Sequence, residues 1–203
     1  MEKLKEEARR LLLSGRLQWL LVGLGVGLRL VAYLHNRSLW RDEALLASNI
    51  ESRSYEGLLQ PLDNQQAAPV GFLILERFVI QILGNSEYAL RLVPLLAGIA
   101  SLFLMRSVAK KAVALEVVPI ALGFFAISGR AVYYSSEVKQ YSTDVAICLA
   151  LVLAAIEIRA RTLQWQSAAL FGLAGAFAVW LSHPSVFVLA GIGTTLFLSY
   201  CWR

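Results

Sequence analysis

Residues 17–34 read LQWLLVGLGVGLRLVAYL, a nearly continuous apolar stretch. Its length is that of a helix crossing a hydrocarbon core of about 30 Å. The chain is 58% hydrophobic and 16% charged, whereas about a quarter of the residues in soluble domains are charged. These features exclude a soluble globular class and predict an all-α membrane protein. The predicted six spans are 17–34, 88–105, 112–129, 141–158, 165–181 and 184–202.

The positive charge is divided among the connections between the apolar blocks. The net charge is +5 and the pI is about 9.4, but the basic residues form no single face or tail for nucleic acid. Short basic clusters of this kind are typical of cytoplasmic loops. Residues 1–16 are therefore interpreted as a cytoplasmic basic N-terminus before a retained first span. Cys148 and Cys201 are too few for a disulfide framework or a metal spacing.

Residues 35–87 form a long connection that contains a further apolar stretch at 72–83. A helix of that length reaches about 18 Å, too short to cross a membrane. Glu76, Arg77 and Gln81 fall on one side of its helical wheel, so an interfacial amphipathic helix is predicted.

The distribution of basic residues supports an interfacial position for the stretch at 72–83. A seventh span would place Arg106, Lys110 and Lys111 outside, against the positive-inside bias. The prediction is thus six spans with 35–87 outside, and a membrane domain, 17–203, that is the N-terminal part of a longer polypeptide.

The first external connection opens with the acidic pair Asp42 and Glu43 beside Trp40. A carboxylate at the membrane surface could deprotonate an acceptor hydroxyl as a general base. Alternatively, Asp42 caps a following helix that begins at Glu43, and Glu43 complements its dipole. Gln66, further along, either binds a sugar or belongs to a solvated loop.

The second external loop, 133–144, is short, polar and aromatic. Its tyrosines and the Glu137/Lys139 pair could form an ordinary interfacial belt. Asp144, however, lies inside the next apolar block, where a carboxylate is costly and usually functional. Arg29, Arg91 and Arg130 lie near the outer ends of their spans. Each alone could extend to lipid headgroups, whereas together with Lys139 they suit a phosphate.

Four stretches together resemble a known family. They are LWRDEA (39–44), QAAPVGF (66–72), GNSEYALRL (84–92) and YSSEVKQYS (134–142). The sequence is similar to the GT-C integral-membrane glycosyltransferases. Within these it resembles the bacterial family-39-like group that includes protein O-mannosyltransferases, the lipid A aminoarabinose transferase and RgtA/B/C/D-like enzymes.

The resemblance implies an inverting transferase that moves a sugar from a polyprenyl-phosphate donor to a lipid, glycan or protein acceptor. It implies Asp42 as the base with Glu43 as its neighbour, and Glu137, Lys139 and Asp144 near the donor phosphate. Arg91, Arg130, Tyr141 and Gln66 complete the expected substrate-binding set. Many relatives carry His or Lys beside a Pro-Pro pair where this chain has Gln66-Ala67-Ala68-Pro69.

Location and cofactors follow from the same interpretation. We expect a bacterial plasma-membrane protein with its active site facing outward. No metal ligand is assigned, and a divalent cation is left open. The alternatives are a transporter-like helical bundle and a non-catalytic assembly subunit. Transporters usually carry ionisable residues at mid-membrane, whereas the polar residues here gather in loops.

Overall fold

A computed structural model describes residues 1, 6, 12–160 and 165–202, and in these it contains helices and loops but no strand. The all-α prediction is confirmed. The helices that build the fold are α1 (Gly15–Leu34), α2 (Arg41–Ser52), α3 (Val70–Leu83), α4 (Glu87–Leu90), α5 (Leu92–Ala112), α6 (Val118–Ile127), α7 (Gly129–Tyr134), α8 (Tyr141–Ala160), α9 (Trp165–Leu181) and α10 (Ser185–Cys201).

Three helical segments of the described chain are long and apolar enough to cross a membrane: Gly15–Leu34, Glu87–Ala112 and Tyr141–Arg159. The six-span prediction is therefore not confirmed. Helices α9 and α10 have 17 residues each and reach about 26 Å. Helix α6 has 10 residues and reaches about 15 Å. The predicted span 112–129 is wrong as one helix, because Pro119 restarts the helix and Ser128 separates α6 from α7.

The second spanning segment bends where α4 meets α5. Arg91 has φ −98° and ψ −1°, which ends the first helix before the second begins. Pro94 explains the break, because proline offers no N–H and its ring crowds the carbonyl three or four residues earlier. At the other end of α5, Lys111 pairs with Glu157 of α8 at 2.7 Å. This pair joins the C-terminal ends of both helices, so α5 and α8 are parallel neighbours.

Helix α5 is the centre of the bundle, and α8, α1 and α6 pack around it. A second layer, α2 and α3, covers the end of the bundle where α1 stops and α4 begins. Apolar side chains of both helices form its core, and Val138 of the 135–140 loop belongs to the same core. That loop also lies close to α5, because a Cβ on Gly98 would stand 2.6 Å from the Cβ of Ser135. The core therefore brings the 135–140 loop close to helices α2 and α3, which lie far from it in the sequence.

Helix α3 occupies the predicted interfacial stretch, but two of its three polar residues, Glu76 and Arg77, turn toward the protein, whereas Gln81 is exposed. Glu76 is fully buried, on the helical face of the core residues Phe72 and Ile80. Arg77 Nη1 donates to the carbonyl of Ile50 at 3.1 Å and so caps the last turn of α2. Gln81 Oε1 accepts a bond from the Tyr55 hydroxyl at 2.6 Å.

The opposite side of α3 is apolar and exposed. Leu75, Phe78, Ile82 and Leu83 are 38–63% exposed, a pattern that suits contact with lipid. The helix is thus amphipathic as predicted, but Glu76 and Arg77 pack against the rest of the protein.

Glu76 supplies a test of this packing. Neither of its carboxylate oxygens has a hydrogen-bond partner among the described residues, and burial raises its pKa well above 4.5. A carboxyl whose pKa is raised on folding contributes most stability below its unfolded pKa. That stability is lost as pH rises toward the folded pKa, by at most about 1.4 kcal/mol per pH unit.

We therefore expect Glu76→Gln to match the wild type near pH 4 and to be more stable near pH 8. Thermal unfolding in detergent across this range measures the difference. Glu56→Gln, at an exposed site, is the control and should show the wild-type pH dependence. Parallel curves for wild type and Glu76→Gln would contradict the assignment.

Candidate functional site

Glu43 is the most densely bonded side chain of the site, and it is fully buried. Its Oε2 accepts from Arg37 Nη1 at 2.8 Å and from the Trp40 N–H at 3.2 Å. Its Oε1 accepts from the Val138 N–H at 2.9 Å and from Arg91 Nη2 at 3.4 Å. Burial of an ionised carboxylate costs much less free energy when it is paired in this way. Glu43 therefore joins the first loop, the start of α5 and the second loop.

The predicted cap assignment is corrected by this arrangement. Helix α2 begins at Arg41 rather than at Glu43, and it ends at Ser52. Glu43, at the third helical position, bonds back to the N-cap residue Trp40, so it performs the capping that the sequence assigned to Asp42. Asp42 is consequently free for other partners.

Asp42, Gln66 and Lys139 form a closed triangle of hydrogen bonds. Lys139 Nζ lies 2.8 Å from Asp42 Oδ2 and donates to Gln66 Oε1 at 2.9 Å. Gln66 Nε2 donates to Asp42 Oδ1 at 3.0 Å. The Asp42 side chain is 51% exposed, whereas that of Lys139 is 7% exposed. The hydrogen bonds from Lys139 and Gln66 lower the pKa of Asp42 and so favour its ionised form. The half-exposed carboxylate is also accessible to solvent.

The loop that carries Gln66 is fixed to α2. Asn49 Oδ1 accepts from the Asp63 N–H at 2.8 Å, and Arg53 pairs with the Asp63 carboxylate at 2.9 Å. Asn64 and Gln65 have φ values of 57° and 56°, a tight reversal just before Gln66. The amide of Gln66 therefore reaches Asp42 from a braced turn rather than from a freely solvated loop.

A row of aromatic rings borders the triangle. Arg37 lies over the Tyr133 ring at 4.6 Å, and the ring centroids of Tyr133 and Tyr134 are 5.7 Å apart. Tyr134 and Tyr141 follow at 4.6 Å. Tyr141 is 39% exposed, so the end of the row is open to a ligand.

Glu137 lies in the same loop as Lys139 and is buried. Burial is the main cause that raises the pKa of Glu137, and the negative charge of Glu43 adds to it. The positive charges of Arg37 and Lys139 act in the opposite direction. Glu137 therefore holds its proton more tightly than an ordinary glutamate.

The three arginines expected at the outer span ends do not converge on one site. Arg29 is fully buried in α1, with Nη1 donating to the Gly25 carbonyl at 3.0 Å, so it does not extend to headgroups. Arg91 is buried beneath Glu43 and also donates to the Arg37 carbonyl at 2.7 Å. Arg130 is exposed on α7.

The remaining predicted residues divide into two groups. Asp42, Gln66 and Lys139 meet directly, with Glu43 and Arg91 beneath them and Glu137 and Tyr141 beside them. Asp144 is buried in the first turn of α8, in electrostatic range of His183, and neither it nor Arg130 bonds to the triangle. The sequence analysis did not identify Arg37. A basic residue shortly before the acidic pair Asp42 and Glu43 is the pattern that could have indicated it.

The chemistry available at this site is proton transfer beside a cation. A half-exposed carboxylate can accept a proton from a hydroxyl, and an adjacent ammonium group can bind an anion. Within the described ranges, no group of three or more His, Cys, Asp or Glu side chains is arranged to hold a metal ion.

Comparison with known proteins gave no match to a protein-family model, to a curated protein or to a solved structure. The resemblance to GT-C glycosyltransferases therefore remains a prediction from four sequence stretches. The arrangement of side chains carries the functional argument from this point.

The architecture of the site predicts different roles for the adjacent acids. Glu43→Gln should lower the free energy of unfolding by about 3 kcal/mol, because Arg37 and Arg91 lose the charge that compensates them. Asp42→Asn should cost less than about 1 kcal/mol, since its ion pair is half exposed. Denaturant unfolding in detergent compares the two. Equal losses would show that Glu43 is not the structural centre of the site.

Proposed function

We propose that this chain carries the active site of an inverting glycosyltransferase that uses a polyprenyl-phosphate sugar donor. The observation that carries the proposal is the Asp42–Gln66–Lys139 triangle. It places an exposed base beside a lysine, at one end of a bundle with three helices able to span a membrane. A lipid-linked substrate would present its sugar and phosphate at such a place.

In the proposed reaction, Asp42 accepts the proton of the acceptor hydroxyl. The acceptor oxygen forms a bond to the anomeric carbon as the bond from that carbon to the phosphate oxygen breaks. The polyprenyl phosphate leaves with the electron pair of the broken bond. Lys139 offsets the negative charge that grows on the phosphate, and a fixed cation does so more effectively than mobile water.

The position of Lys139 also accounts for the departure from the family pattern. Many members of the family that the sequence resembles carry His or Lys beside a Pro-Pro pair, whereas this chain has Gln66-Ala67-Ala68-Pro69 there. Lys139 Nζ donates to the Gln66 side chain at 2.9 Å, so the second loop supplies a cation at the equivalent place. In this proposal Lys139 replaces the missing charge.

The aromatic row provides a surface for the sugar. Tyr141 is exposed at one end of the row and lies within electrostatic range of Asp42, and its ring can pack against the apolar face of a pyranose. Arg91 and Glu43 hold the architecture rather than touch the donor, because both are buried and bonded to each other. The acceptor then approaches from the exposed side of Asp42.

The orientation in the membrane is part of the same proposal. Lys110 and Lys111 lie at the end of α5 remote from the triangle. The positive-inside bias favours that end as cytoplasmic, which places Asp42 and Lys139 at the outer face of a bacterial plasma membrane. The shorter helices α6, α9 and α10 would then lie in the same membrane, packed on the spanning helices.

Asp42→Asn tests the proposed chemistry. We expect transfer from polyprenyl-phosphate sugars to fall by at least about 100-fold, because the amide cannot accept the acceptor proton. The assay uses the full chain in lipid vesicles with a panel of radiolabelled donors. Glu51→Gln, an exposed carboxylate on the same helix, should retain activity. Full activity of Asp42→Asn, or no transfer by the wild type from any donor of the panel, would overturn the proposal.

A further inference from the structure

Lys139 is already engaged before any substrate arrives. Two of its three N–H groups are directed to Asp42 Oδ2 and Gln66 Oε1, and its side chain is only 7% exposed. Asp42 is held in turn by both partners in a state of low proton affinity. The triangle thus opposes both proposed roles. Lys139 is occupied and cannot bind the donor phosphate, and Asp42 is a weak base toward the acceptor hydroxyl.

We propose that the phosphate of the lipid-linked donor draws Lys139 away from Asp42, and that Asp42 can act on the acceptor only afterwards. The triangle then enforces an order in which donor binds before acceptor is activated. This inference rests on the proposed function and assigns the regulation of the same site. A lysine suits the role, because its ammonium is a compact charge on a flexible stem.

The surrounding charges increase the effect of moving Lys139. Glu43 is the next residue of α2, and Glu137 of the second loop lies within electrostatic range of Asp42. Tyr141 at the start of α8 lies within electrostatic range of Asp42, and the neutral amide of Gln66 donates to it. Arg41, the preceding residue of α2, is exposed. Without Lys139, Asp42 would retain one neutral donor and two acidic neighbours. Its proton affinity must then rise.

The cycle closes with a balanced transfer of the proton. With Lys139 on the phosphate, Asp42 takes the proton as the acceptor oxygen bonds to the anomeric carbon. The phosphate receives the electron pair of the broken bond and holds Lys139 more strongly. When the polyprenyl phosphate leaves, Lys139 returns to Asp42 and the proton is released to water.

The proposal predicts that phosphate binding is coupled to proton uptake by Asp42. Calorimetric titration of the full chain in detergent with a polyprenyl phosphate, at about pH 4, measures this uptake in two buffers of different ionisation enthalpy. At that pH the phosphate keeps a single charge, because its second pKa is about 6. The matching polyprenol is the neutral control ligand.

We expect wild type to take up a fraction of one proton for each bound phosphate. The uptake should disappear in Asp42→Asn and in Lys139→Gln, and it should persist in Arg41→Gln. Arg41 is an exposed cation beside Asp42 and is a matched control for the loss of one positive charge. Gln66→Leu should reduce the uptake without removing it, because Lys139 remains.

Three results would overturn the proposal. They are equal heats for wild type in both buffers, uptake that survives in Asp42→Asn, and phosphate binding no tighter than polyprenol binding. None of these measurements requires the sugar to be known. Coupled proton uptake together with an absence of transfer from every sugar donor would instead reject the glycosyltransferase and retain the phosphate-responsive triangle.

Discussion

The buried carboxylate of Glu43 is the interaction on which the rest of the site depends. A negative charge removed from water must find donors within the protein, and Glu43 finds four. They come from Arg37 in the preceding loop, from the N-cap of its own helix, from Arg91 at the junction of α4 and α5, and from the second loop. Satisfying one carboxylate therefore fixes the relative positions of segments that are far apart in the chain.

The adjacent acids Asp42 and Glu43 have opposite environments for a geometric reason. Successive helical residues point about 100° apart, so one of a pair at a helix start can face the core while the other faces water. Glu43 faces inward and closes the N-terminus of α2. Asp42 faces outward, where Lys139 and Gln66 meet it. The fixed position of Val138 on Glu43 holds its neighbour Lys139 within reach of Asp42.

The distribution of polar and apolar surface in this fold is the one that a lipid surrounding favours. Helix α3 presents Phe78 and Ile82 outward and keeps Glu76 and Arg77 against its neighbours. Arg29 is likewise buried in α1 and bonded to backbone carbonyls. In a lipid surrounding, the cost of exposing these polar groups exceeds the cost of burying them. Polar side chains therefore collect between helices and at the covered end of the bundle.

The sequence alone determined the helical class and the apolar segments, because hydropathy and periodicity are local properties. It also indicated Asp42, Gln66 and Lys139 as individual candidates. Only the tertiary structure decided that these three bond to each other, that Glu43 and Arg91 are buried beneath them, and that Arg130 and Asp144 lie apart. The structure also showed that the predicted span 112–129 is not one continuous helix. Those outcomes depend on contacts between residues up to 95 positions apart, such as Glu43 with Val138, and local patterns carry no information about such distances.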